Sequence, residues 1–128
     1  MYKNTLSLIK QHPILGGGTG SIVNEYAQLA KSNNLTMYTA NPHSQFLLTT
    51  QELGSVGLIV LILMWLVTWK NSYHLESGDG GILLRGLILA MVIGSLFNSL
   101  LLDAGEGKFY CLLVGVFLSA YKKDRDIV

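Results

Sequence analysis

Between Leu53 and Trp69 the chain reads LGSVGLIVLILMWLVTW, about 17 residues without one charge, and that run restricts what the rest can fold into. A stretch this apolar crosses the hydrocarbon core of a bilayer as a helix, because lipid offers no partner to backbone N–H and C=O groups. About 17 residues is the lower limit for crossing. The preceding stretch, Pro42 to Glu52, can extend it as one continuous helix projecting above the membrane.

Two further apolar stretches follow. Ile82 to Leu102 is of ordinary span length, interrupted by Arg85 near its start and Asn98 near its end. Phe109 to Tyr121 is about 13 residues; to cross, it must tilt little or thin the bilayer locally, and on length alone it also suits a re-entrant or buried segment. Charged residues make up 13% of the chain, against about 25% in soluble domains. The expected fold is therefore an all-α integral membrane protein of about three transmembrane helices (53–69, 82–102, 109–121), preceded by a partly helical outer segment. A net charge of +1 gives no reason to expect a nucleic-acid partner. Cys111 is the single cysteine, which excludes a disulfide framework or a cysteine metal cluster. Met1-Tyr2-Lys3 leads into a polar segment, not into the apolar core of a signal peptide.

Orientation follows from lysine and arginine beside the spans. The tail YKKDRDIV places Lys122, Lys123 and Arg125 against the membrane, Lys70 follows the first span and Arg85 opens the second. The turn DAGEGK carries one lysine against Asp103 and Glu106. The Lys70–Gly81 loop and the 122–128 tail are thus expected in the cytoplasm, and residues 1–52 outside. Trp65, Trp69 and Tyr73 fit an aromatic belt at the inner interface.

The outer segment has its own order. Asn4 to Lys10 predicts a short helix ended by Pro13, and Gly16-Gly17-Gly18-Thr19-Gly20-Ser21 is a glycine-rich turn. Ile22, Val23, Tyr26, Ala27 and Ala30 then recur at helical spacing. Lys31 to Tyr38 is polar and loop-like. Asn41-Pro42 predicts the start of the long helix, with asparagine as N-cap and proline in the first helical position.

The glycine run matches neither phosphate-binding signature: no Gly-Lys-Ser/Thr follows, and Ser21 stands where a dinucleotide loop needs glycine. It either holds an anion on free amides or is a tight turn that lets backbone lie close to the embedded part. One positive-φ residue at least is expected within it. His43 falls, on this reading, in the first helical turn, where the helix dipole favours a neutral ring able to accept a proton. The alternative is a surface or capping histidine. His12 and His74 look like ordinary loop residues. Glu52 lies half a turn out of phase with His43 and shares a face with Gln45, so it is expected to tether the loop or neighbouring helices. Gly54 and Gly57 suit close packing against another span. Arg85 is expected to snorkel to the surface; Asn98 and Asp103 either pack helices or line the cavity that holds His43.

Three segments together, HPILGGGTGS, NPHSQFLLTTQELGSVGLIVLIL and NSLLLDAGEGKFYCLLVGVFLSA, resemble the C-terminal part of the O-antigen ligase and O-antigen polymerase superfamily. The resemblance runs from about Leu8 to Tyr121 and does not separate ligase from polymerase. It implies a glycosyltransferase without metal or cofactor at the periplasmic face of the inner membrane. The donor would be a polyprenyl-diphosphate-linked glycan, and the acceptor a glycolipid such as lipid A-core or another glycan. His43 maps onto the motif histidine taken as general base in the ligases. Gly18, Gly20, Asn41 and Gln45 become candidate substrate-binding residues. The family holds its diphosphate with periplasmic arginines, whereas residues 1–52 carry only Lys3, Lys10 and Lys31. Family members also have further spans before this point, so the resemblance implies a C-terminal piece of such an enzyme, completed by a missing N-terminal part. The competing reading is a non-catalytic small membrane protein packing against a partner.

Overall fold

The computed structural model describes residues 2–32, 41–75, 79–102 and 104–125. Five helices follow one another: α1 (Tyr2–Ile9), α2 (Ser21–Ser32), α3 (Gln45–Ser72), α4 (Gly80–Phe97) and α5 (Ala104–Arg125). No strand occurs among the described residues, as expected of a chain that must satisfy its backbone within lipid. Two helices, α3 and α4, are long and apolar enough to cross a membrane. Only 22% and 28% of their most apolar windows are buried, whereas a core helix of a soluble protein would be mostly buried. Val56, Ile59, Val60, Leu63, Leu66 and Val67 stand exposed along α3, as do Ile82, Leu83, Leu89 and Ile93 along α4. An apolar surface of this extent suits lipid rather than water. The stretch expected as a third span lies inside α5, and α4 ends at Phe97, earlier than the expected Leu102.

The chain forms two compact units, 1–61 with 95–99 and 62–94 with 100–128. The first is built on α1, α2 and the start of α3. Leu8, Ile22, Tyr26 and Leu48 form its core, with Leu29 packed against them, and Thr5 Oγ1 shares a buried hydrogen bond with Tyr26 OH. The helical spacing foreseen in α2 is realised: Ile22, Tyr26 and Ala30 are buried, although Val23 faces out. Lys31 and Ser32 close this helix rather than open a loop; residues 33–38 lie outside the described residues.

The second unit buries Leu84, Ile88 and Met91 of α4 with Trp65 of α3 and Tyr110 of α5. Trp65 therefore belongs to the packing face, not to an interfacial belt. Trp69 and Tyr73 meet edge to face, 6.5 Å between ring centroids. Arg85 lies 4.6 Å above the Tyr73 ring, and its Nη1 donates to Ser72 Oγ at 3.4 Å. The guanidinium thus stays at the helix ends with an aromatic partner, a structural use of an arginine near a membrane surface.

The expectation of one unbroken helix from Pro42 through the span is corrected at both ends. The helix begins at Gln45, and Gly54 has φ 66° and ψ −163°, so two helical segments meet there at a kink. Residues 55–72, at 1.5 Å per residue, are roughly 27 Å long, about the thickness of a hydrocarbon core.

Candidate functional site

A helix broken at residue 54 leaves carbonyls at the end of the first segment and amides at the start of the second without helical partners. The glycine turn supplies them. Gly17 N–H donates to Gln51 C=O at 2.8 Å and Gly18 N–H to Glu52 C=O at 2.9 Å; Ser55 N–H donates to Pro13 C=O at 2.9 Å and Val56 N–H to Ile14 C=O at 3.3 Å. Backbone lies directly on backbone. A Cβ at Gly54 would come 2.1 Å from Ile14 O, and one at Gly16 would come 2.3 Å from the Glu52 carbonyl carbon. Both glycines also have positive φ, as do Gly18 and Gly20, so Gly16 and Gly54 are demanded by sterics and conformation together. The expected left-handed residue is present, and the reading of the run as a close-approach turn holds. Gly54 packs on this turn rather than on another span; the nearest atoms to a Cβ at Gly57 would be those of the Leu53 side chain.

The glycine amides of the turn are occupied within the protein. Gly16 N–H donates to His12 C=O, Ser21 N–H to Gly18 C=O, and Gly20 N–H to Glu52 Oε1 at 3.0 Å. Glu52 thus tethers the loop, as expected of it. Beside it Gln51 Nε2 donates to Glu25 Oε2 at 3.0 Å, so α2 is clasped to α3. A Cβ at Gly18 or Gly20 would meet open space, which leaves that edge of the turn accessible.

The histidine motif is built differently. Pro42 and Ser44 are buried and His43 between them is exposed. His43 has φ 49° and is the single non-glycine residue at positive φ among the described residues. It does not sit in the first helical turn: the helix starts two residues later, and Ser44, whose C=O accepts from Leu48 N–H at 3.0 Å, takes the N-cap place assigned to Asn41. Asn41 folds back instead. Its Oδ1 accepts from His43 N–H at 2.8 Å, an Asx turn of the kind that Asn-Pro initiates, and also from Ser99 Oγ at 2.8 Å.

The residues after the last turn of α4 complete the frame. Gln45 N–H, an amide at the helix start, donates to Asn98 C=O at 3.1 Å. Ser44 Oγ donates to Ser95 C=O at 3.3 Å. Ser95 and Ser99 have no exposed surface. The structure thus joins Asn41, Gln45 and Asn98, as the sequence allowed, while Asp103 lies outside the described residues. Gln45 is buried and its Nε2 donates to Thr49 Oγ1 at 3.1 Å. Sequence reasoning missed Ser44, Ser95 and Ser99; their only signal was a run of small polar residues in otherwise apolar helix ends. His12 and His74 are exposed, outside this frame.

Buried residues on either side leave His43 pointing outward, and a side chain at positive φ costs about 1–3 kcal/mol. The result is an imidazole projecting from a rigid base, able to take or give a proton at a surface. No group of His, Cys, Asp and Glu suited to a metal occurs among the described residues.

A family model described as O-Antigen ligase matches residues 1–62, the glycine turn and the histidine motif included. No curated protein and no solved structure matches the chain.

Proposed function

We infer the function from one premise, membership of the O-antigen ligase superfamily, which the match over residues 1–62 supports. The proposed reaction moves a glycan from a polyprenyl diphosphate to a hydroxyl of a glycolipid or glycan acceptor, lipid A-core being one such acceptor. His43 acts as general base. Its ring takes the acceptor proton while the oxygen attacks the anomeric carbon, and the bond to diphosphate breaks with its electron pair leaving on phosphate. The observation that carries this reading is His43 itself: exposed between buried Pro42 and Ser44, at φ 49°, in a loop that Asn41 and Ser44 tie to Ser99 and Ser95. A strained non-glycine backbone at an exposed polar residue is the pattern of a site held for chemistry.

The other residues have supporting parts. Asn41 and Gln45 fix the loop, and the open edge at Gly18 and Gly20 offers backbone against which a sugar can lie. The reading places residues 1–52 in the periplasm, three spans in the inner membrane and the 122–128 tail in the cytoplasm. A cysteine introduced at Ser32 should then be labelled from the periplasmic side and one at Lys123 should not; the reverse would put His43 on the wrong side for this chemistry.

Glycan transfer in cells lacking the native activity, with protein level measured alongside, tests the base. A positioned base contributes on the order of a hundred- to ten-thousand-fold, so His43→Ala should lose most transfer at unchanged level, and His43→Gln nearly as much. Near-normal transfer by the alanine variant would remove His43 from the mechanism.

A further inference from the structure

The apolar tip of the glycine turn has no part in the reading above. Ile14 and Leu15 are 64% and 75% exposed, yet the peptide units beside them are pinned to the start of an apolar helix. Pro13 C=O takes Ser55 N–H and Ile14 C=O takes Val56 N–H. These two bonds fix the level of the tip: it lies beside residues 55 and 56, where the roughly 27 Å apolar stretch begins. Nothing fits between turn and helix, since a Cβ at Gly54 would already overlap Ile14 O. The two side chains therefore stand away from the helix. Val56, Ile59 and Val60 continue the same exposed apolar surface downward.

A second observation is independent of those side chains. The backbone on either side of the tip is held within the protein. Pro13 has no N–H, the carbonyls of Pro13 and Ile14 are bonded, and the amides of Gly16, Gly17 and Gly18 all donate within the protein. Bonds of this kind lower the cost of bringing the non-helical backbone beside the tip to membrane depth. The sequence agrees: no Asp, Glu, Lys or Arg occurs between Lys10 and Glu25.

We propose that Ile14 and Leu15 form a wedge seated among lipid acyl chains, in the leaflet that residues 55 and 56 enter. Its occupant is bilayer lipid, because the wedge is continuous with the exposed apolar face of the helix to which its backbone is bonded. This inference rests on the membrane placement of residues 55–72 within the reading above, and not on the chemistry of His43. The wedge makes the turn a bilayer anchor that keeps the outer segment at the membrane surface.

Nitroxide accessibility in vesicles of phosphatidylcholine and phosphatidylglycerol tests it, using the full chain with Cys111→Ser and one cysteine at a time. Labels at Leu15→Cys and Ile59→Cys should relax with oxygen in preference to nickel-EDDA, with a ratio several-fold above that of Ser32→Cys. A Leu15 label that behaves like Ser32, while Ile59 reads as lipid-facing, overturns the wedge and leaves the membrane placement standing. A Leu15 label shielded from both reagents overturns it too, since protein rather than lipid would then cover the tip. An Ile59 label exposed to nickel-EDDA would overturn the membrane placement and the wedge together.

Discussion

The glycine turn and the histidine loop both leave ordinary backbone space at positive φ, and they do so for opposite reasons. At Gly16 and Gly54 the side chain is dispensed with, because backbone must lie where a Cβ would overlap carbonyl atoms. At His43 a side chain is kept in a conformation that glycine would occupy more cheaply. The first arrangement stores nothing and serves packing. The second retains strain, and strain persists only where surrounding bonds over-determine it. Here those bonds come from Asn41, Ser44 and Gln45 to Ser99, Ser95 and Asn98. The difference separates residues that give up a side chain for packing from a residue that keeps one exposed.

Perturbing the packing half should have the largest effect. Gly54→Val sets a branched side chain against Ile14 O and Gly16 N, backbone atoms with no room to yield, at a positive φ that valine does not adopt. The expected loss is above about 4 kcal/mol, the range reserved for such faults. Measured as protein accumulating in the membrane, it should be near-complete. Normal accumulation would mean that turn and helix are not in backbone contact.

Freeing the histidine loop should cost less stability and more function. Asn41→Ala removes the acceptor of both His43 N–H and Ser99 Oγ. Each such bond contributes about 0.5–1.5 kcal/mol net, and a buried hydroxyl left without a partner adds to the cost. Transfer should fall further than unfolding midpoint, and Asn41→Asp, which keeps Oδ1, should recover much of it. Ser99→Ala, which leaves the Asx turn intact, should be milder in both measures. Equal damage from Ser99→Ala and Asn41→Ala would break the distinction between turn and clamp.

The same contrast marks what the sequence could reveal. Features set by local periodicity were legible: α2 buries Ile22, Tyr26 and Ala30 at the foreseen spacing, and the apolar runs became α3 and α4. The carboxylate of Glu52 was also legible as a tether, because an acidic group at the edge of an apolar run needs a partner. The break at Gly54 was not. Gly54 and Gly57 at three-residue spacing look like a helix-packing face, and the contact that opens the helix comes from Ile14–Gly16, far upstream. The conformation of His43 escaped for a like reason. Asn-Pro signals both a helix start and a turn, and the frame that holds the turn includes Ser99 Oγ, which donates to Asn41 Oδ1 from 58 positions away. Trp65 looked interfacial by residue type and is buried by tertiary packing.

If His43 is kept at positive φ for its side chain and not for the fold, His43→Gly should separate the two. Glycine adopts the left-handed conformation without the roughly 1–2 kcal/mol that a Cβ costs there, offset in part by its greater freedom when unfolded. Unfolding midpoint in detergent and glycan transfer in cells should therefore separate. Stability should equal that of the parent or exceed it by up to about 1 kcal/mol, with transfer reduced on the order of a hundred- to ten-thousand-fold. Stability and transfer falling together, or transfer persisting near the parent rate, would contradict it.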